Sequence, residues 1–308
     1  MADPTFSVTA AVVASTLLLL RDDPAFGHLL DPRAHESIDA AVRVTLPVFG
    51  HLLDYVPWPV LRRAALGVES VISPGFIAHY ALRKHAIRTR LGQWVDEGFR
   101  QVVLLGAGFD MLSQSIPTEV SVFELDHPAT QEAKRKALLT MACRRVSFVP
   151  VDFARESLRG ALLRSRSFDH DARTVFVAEG LLMYLSANRA EAMLADISSS
   201  APDVRAVFTV ITPDPRGRYR LHSQRKVVDW CMSWLDEPFV WGVRPEEIAS
   251  LLERHGLALE SIACTTEIRD RLLDRNARHR LPQPSGELMI VGSRQTDISD
   301  FGTARRSP

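Results

Sequence analysis

Hydrophobic and polar positions follow two rhythms in this chain, and the change falls near residue 100. Before it, no stretch alternates in the way a half-buried strand does, and the apolar positions read as helical. Residues 9–20 (TAAVVASTLLLL) are apolar throughout, yet a bilayer span takes about 20 residues. The only charge ahead of them is Asp3, so no basic segment of a signal peptide precedes them. They predict a buried helix that ends at the polar RDDP of residues 21–24. Pro57 and Pro59 then interrupt the pattern. A long helix is expected over residues 75–97, with Ser73 as its cap, Pro74 in its first turn and Gly98 as its stop.

From residue 101 short apolar runs take turns with amphipathic stretches. Strands are expected at 101–105 (QVVLL), 120–125 (VSVFEL), 146–151, 174–178 (TVFVA), 204–211, 257–263 and 287–291. Helices are expected at 128–141, 155–164, 187–198 and 244–255. Apolar runs this short and this continuous belong to strands buried on both faces. The alternation therefore predicts an α/β fold, a parallel sheet with helices on both faces. Residues 212–242 break the rhythm with turns, three tryptophans and one helix, and read as an insertion over the sheet edge. The expected organisation is a helical cap (1–74), an α/β domain (75–296, with an insertion at about 212–243) and a polar, disordered tail (297–308).

Composition narrows the function more than the fold. The 308 residues carry 37 basic and 37 acidic side chains, a net charge of zero, which speaks against a general nucleic-acid binder. No segment reads as a membrane anchor. Cys143, Cys231 and Cys264 are far apart and lack metal-ligand spacing, so neither a disulfide framework nor a metal centre is expected. Reduced, buried, inert thiols and a cytoplasmic location are the corresponding expectation.

The candidate chemistry lies where strands end, because ligands of doubly wound sheets bind beyond the carboxyl ends. The first strand runs into Gly106, Ala107 and Gly108, where missing side chains let a ligand approach the backbone. Alone, this GxG fits an ordinary turn equally well. A dinucleotide fingerprint needs a third glycine three positions on, and Met111 stands there. A cofactor without phosphates fits better. Glu124 and Asp126 end the second strand on one face, placed to accept ribose hydroxyls or to pair with basic residues. Asp152 and Phe153 follow the third strand and suit an adenine amine and ring, although Asp152 also suits a helix cap. Glu179 follows the fourth strand, near the amino-acid end of such a cofactor. Tyr184, one turn later, either faces substrate or packs in the core. In ALRKHAIRTR, Arg83 and Arg90 are seven apart and share a face, so one of them could grip a carboxylate, the remaining cations forming a solvated face.

Taken in order, RKHAIRTR, QVVLLGAGFD, FELDHPATQEAKRKAL, VPVDF, VAEGLLMYL and EPFVWGVRPEEIASLLERHGL make this sequence resemble the leucine carboxyl methyltransferase-like family of O-methyltransferases. The resemblance spans about residues 80–291. It implies a Rossmann-like class I methyltransferase sheet and S-adenosyl-L-methionine as cofactor. It implies Arg83 on the methionine carboxylate, with Arg88 and Arg90 as alternatives, and Gly106, Ala107 and Gly108 under the cofactor. Asp126 or Glu124 would hold the ribose, Asp152 and Phe153 the adenine, and Glu179 the amino group. The chain departs from the family in MLSQSI after the glycine turn. The implied acceptor is a small molecule, a carboxylate or a phenol of a secondary metabolite. A carboxylate needs no base and a phenol gains from one, with His222 or Tyr184 as candidates. Leu46, Val48, Phe49, Tyr55 and Trp58 in the cap suit an apolar substrate, plain packing or a homodimer face. A protein C-terminal carboxyl methyltransferase, a cofactor-binding protein of other chemistry and a nicotinamide oxidoreductase are the rival readings.

Overall fold

The computed structural model describes residues 7–20, 23, 26–29, 38–40, 42–43, 51, 54–55, 57–139, 146–222, 224–235, 237–273 and 285–295. Leu46, Val48, Phe49, Cys143 and the 297–308 tail, on which expectations were placed above, lie outside these residues. No helix among the described residues is long and apolar enough to cross a membrane.

Seven strands form one sheet: β1 Gln101–Leu105, β2 Ser121–Asp126, β3 Ser147–Pro150, β4 Thr174–Ala178, β5 Asp203–Ile211, β6 Ala258–Cys264 and β7 Glu287–Gln295. Their order is β3-β2-β1-β4-β5-β7-β6. β1 to β5 pair in parallel, as the apolar runs predict. β7 does not follow that expectation. It inserts between β5 and β6 and runs antiparallel to both, so the sheet is mixed. Both faces of β7 are covered, and an apolar run covered on both faces carries no mark of direction.

The helices pack on both sides of this sheet. α1 is Val8–Thr16, α2 Trp58–Ile72, α3 Phe76–Asp96, α4 Leu112–Ser115, α5 Pro128–Leu138, α6 Leu158–Arg164, α7 Ala187–Ser199, α8 Lys226–Trp234, α9 Ile248–Arg254 and α10 Thr265–Leu272. The apolar run of residues 9–20 is helical as expected and buries Ala11, Ala14, Ser15 and its four leucines, whereas Val12 is exposed. It tightens into a 3-10 turn at Leu17–Leu20, all four leucines facing inward. The cap of α3 is not Ser73. Ser73 closes α2, and α3 starts from Gly75 at φ 80°, a left-handed conformation that glycine adopts without cost. Likewise Asp152 does not cap α6. Its carboxylate accepts the Ala154 N–H in a tight turn, and the cap is Ser157, which accepts from Gly160.

Helix α5 shows how a polar group fixes packing. Gln131 donates to the carbonyls of Glu124 and Val149, bridging β2 and β3. Lys134 and Glu124, each 1% exposed, form an ion pair at 2.7 Å. The Lys134 ammonium also donates to the Asp110 carbonyl. A buried pair contributes little net stability against an apolar replacement, but removing one partner strands the other charge. Lys134→Met should therefore destabilise the protein by about 3–5 kcal/mol, and adding Glu124→Leu should recover most of that loss. Urea unfolding with an unchanged denaturant slope checks this; equal losses in the single and double variants would refute it.

Candidate active site

The strand order reverses between β1 and β4, and a cavity of about 1130 Å³ opens at the carboxyl ends there. Pockets for a single drug-sized ligand span about 300–1,000 Å³, so this one lies above the upper end of that range and suits a cofactor with a second reactant. Gly106, at φ 62°, turns the chain out of β1 while its N–H still bonds the Leu125 carbonyl at 2.8 Å. A Cβ there would stand 2.9 Å from Leu181. Gly108 lies under α1, where a Cβ would meet Ala10 at 3.2 Å. The helix after the turn, α4, is a single turn long, too short for the macrodipole that holds a pyrophosphate in dinucleotide sites.

Most sequence-predicted site residues converge on this cavity. Arg83, Gly106, Ala107, Gly108, Asp126, Asp152, Phe153, Glu179 and Tyr184 all line it. Asp126 sits at the end of β2 and accepts the N–H groups of Gly108 and His127. Burial pushes its carboxyl up, against the lowering effect of those two bonds. Two expected residues do not arrive. Glu124 is buried against Lys134 of α5 and does not line the cavity. A ribose role cannot be its own, because an acid that left Lys134 unpaired would strand a buried charge. His222 is exposed, 3.2 Å from the Ser285 hydroxyl, and does not line the cavity either.

The three candidate arginines lie in different places. Arg88 donates to the Leu29 carbonyl and Arg90 to Glu260, both away from the cavity. Arg83 projects into it. Its Nε donates to Glu179 Oε1 at 2.8 Å and its Nη1 to Glu287 at 2.6 Å, while Nη2 lies against Gly180. Lys84 is not part of a solvated face. It is buried between Asp110 and Glu179, 2.7 Å from Glu179 Oε2 as an ion pair without hydrogen-bond geometry. Burial would lower the Lys84 ammonium, but Asp110 and Glu179 outweigh it and hold the charge.

Two participants were not foreseen in the sequence. Glu287, the first residue of β7, accepts from Arg83 and stands 2.5 Å from Nε2 of His79, whose Nδ1 is 2.6 Å from the Thr265 hydroxyl. Burial would raise the Glu287 carboxyl, but Arg83 and His79 outweigh it and hold it at about 2. An ionised carboxylate only accepts, so His79 Nε2 carries the proton. One signal existed: His79 and Arg83 are four apart on α3 and share a face. Their common acid lies 204 positions from Arg83 and could not be paired with it from sequence.

The insertion covers the cavity rather than the sheet edge. Leu221, Gln224, Val228, Met232 and Phe239 line it, and Tyr184 meets Phe239 edge-on at 5.2 Å between ring centres. Glu237 accepts the Thr9 N–H at 3.2 Å, joining the insertion to the first turn of α1. Cys231 is exposed and lines the cavity, against the expectation of a buried thiol, and Cys264 is half-buried. Tyr55 is 83% exposed, whereas Trp58 packs partly buried in the cap cluster.

The family model for leucine carboxyl methyltransferase matches residues 18–198 of this sequence. The chain belongs to the leucine carboxyl methyltransferase family. A protein of Mycobacterium marinum, provisionally named an S-adenosyl-L-methionine-dependent methyltransferase, is 31% identical over 249 residues, 76% of this chain and 76% of its own length. One of the same name from Mycobacterium sp. (strain KMS) is 30% identical over 214 residues, 66% of this chain and 68% of its own. The crystal structure of a provisionally named methyltransferase from Thermobifida fusca superposes with a TM-score of 0.56 at 15% identity, over 95% of this chain and 96% of that one, which shows a shared fold. The activity class is that of the family, methyl transfer dependent on S-adenosyl-L-methionine. The inner end of the cavity fits that cofactor. Glu179 Oε2 is buried and accepts no hydrogen bond among the described residues, which suits a ligand ammonium. The lining carries seven carboxylates against two lysine or arginine side chains, a balance that suits a ligand with cationic groups.

The Glu287 interaction has a pH signature. Its folded pKa, about 2, lies below the ordinary 4.5, so its contribution to stability is complete above 4.5 and lost as pH falls toward 2. Glu287→Gln removes that contribution at every pH. The stability gap between wild type and Glu287→Gln, measured by denaturant titration, should be largest near neutrality and close between pH 4.5 and 2. A gap that is constant with pH would refute the pairing.

Proposed function

We propose that this methyltransferase transfers the methyl group to oxygen on a small, largely apolar molecule, and that the acceptor is a neutral hydroxyl, a phenol above all. The observation that carries this reading is the charge around the cavity. Its only arginine and lysine among the described lining residues, Arg83 and Lys84, are ion-paired with carboxylates at the inner end, and Arg83 Nη2 is taken in this reading by the carboxylate of the cofactor. A carboxylate acceptor, whether a small acid or a protein C-terminus, would find no free cation and an excess of like charge. A phenol meets neither penalty.

When bound, the cofactor supplies an electrophilic methyl group on a sulfonium sulfur. In this reading Arg83, through Nη2, holds the methionine carboxylate and Glu179 Oε2 accepts from the ammonium. Asp126 accepts from the ribose, Gly106 to Gly108 let the ligand lie against the backbone, and Asp152 with Phe153 hold the adenine. The protein then supplies position, the main contribution open to it in a displacement that forms no oxyanion. Burial, and then the charge of Glu237, push the Tyr184 phenol well above its usual range. Tyr184 therefore stays protonated and orients the acceptor by donating a hydrogen bond. Glu237, beside it, is the carboxylate placed to take the acceptor proton.

The test is methyl transfer from labelled cofactor to panels of phenols and carboxylic acids. Base-stable label, as in an ether, is the expected product; label released as methanol by alkali would mean an ester and a carboxylate acceptor. Label absent from every acceptor, with the cofactor consumed, would favour a reaction other than methyl transfer. Glu237→Gln should lower kcat on a phenol by about 10²–10⁴-fold with unchanged affinity for S-adenosylhomocysteine. An unaltered kcat removes Glu237 from the mechanism. Asp126→Asn should weaken S-adenosylhomocysteine binding by about tenfold or more, through loss of charged hydrogen bonds. Calorimetric titration reads that change, and unchanged affinity in a folded variant refutes the ribose assignment.

A further inference from the structure

The open edge of the cavity is apolar, although it faces water. Val12 on α1, Val68 on α2 and Val240 after α8 all line the cavity and are 47%, 57% and 47% exposed. Cys231 on α8 lines it too and is exposed. Residues that both line a cavity and meet solvent mark its rim, and these four carry no charge. The apolar surface continues outward. Val227, Trp230 and Trp234 recur on α8 at helical spacing beside Cys231, and all are exposed. Large exposed apolar side chains are a cost that a bound apolar ligand relieves, at roughly 25 cal/mol per Å² covered. Contiguous apolar surface of this kind marks a binding site more often than chance exposure. The cavity itself is larger than one ligand fills.

We propose that the methyl acceptor is an elongated, largely apolar molecule: its hydroxyl reaches inward to Tyr184 and Glu237, and its body leaves across the rim of Val12, Val68, Cys231 and Val240 onto the tryptophan face of α8. The inference rests on the hydroxyl-acceptor reading above and adds the acceptor's shape. A compact polar acceptor would leave the rim uncovered, and a second copy seated on α8 would cover it without any ligand.

The experiment uses the full chain saturated with S-adenosylhomocysteine and a series of 4-alkylphenols, from 4-methylphenol to 4-octylphenol. Affinity is read by equilibrium titration, and alkylation of Cys231 by N-ethylmaleimide is read by peptide mass. Affinity should tighten about fourfold for each added methylene that reaches the rim. Protection of Cys231 should begin only with the longer chains. Val68→Glu should cut the affinity for 4-octylphenol by about tenfold or more, with retained S-adenosylhomocysteine binding showing that the variant is folded. Affinity independent of chain length, no phenol binding beside intact S-adenosylhomocysteine binding, or protection of Cys231 that follows protein concentration alone would each overturn the proposal. Methyl transfer measured in parallel separates the two readings. A chain-length trend without transfer to oxygen would leave the elongated apolar ligand standing and overturn the hydroxyl acceptor.

Discussion

The structure turns on two adjacent cations, Arg83 and Lys84, held in a buried site by three carboxylates from distant parts of the chain. Glu179 comes from the end of β4, Glu287 from the start of β7 and Asp110 from the turn after β1. Such charges are tolerable away from water only when paired, so each ion fixes the place of the others. The cluster thereby ties α3 to three points at the carboxyl-end edge of the parallel strands, at the inner end of the cavity. It also leaves the surplus of negative charge that a cofactor bearing a sulfonium and an ammonium requires.

Around that cluster the cap and the insertion build the rest of the site. Helix α1 bears on Gly108, Ser7 donates to the Thr130 hydroxyl, and Thr9 donates to Glu237 of the insertion. One short helix thus contacts the glycine turn, α5 and the roof. The result is a cavity charged at its inner end and apolar at its outer one.

A division of labour follows within single elements. On α3, Arg83 faces the cavity and His79 stands behind it against Glu287, while Arg88 and Arg90 serve Leu29 and Glu260. On β2, Asp126 faces the cavity and Glu124 anchors α5 through Lys134. Residues of one type, two to seven positions apart, have separate tasks because the neighbours each side chain meets come from elsewhere in the sequence.

The sequence by itself determined the elements and the rim. Short apolar runs bounded by turn residues and alternating with amphipathic helices set a layered α/β fold with strands buried on both faces, and glycines or acids at strand ends fall at the ligand side. For that reason Gly106, Gly108, Asp126, Asp152, Phe153 and Glu179 were legible before any coordinates. Only the tertiary structure decided how distant groups meet. It turned β7 antiparallel, since an apolar run carries no direction. It brought Arg83, and not Arg88 or Arg90, to the cavity and paired Glu124 with Lys134, since spacing along a helix or strand shows which side chains share a face but not what that face meets. It brought Glu287 to His79 and Arg83 and removed His222 from the cavity. Pairing between charges is set by distance in space, and a spacing in the chain records that distance only within one helix or strand.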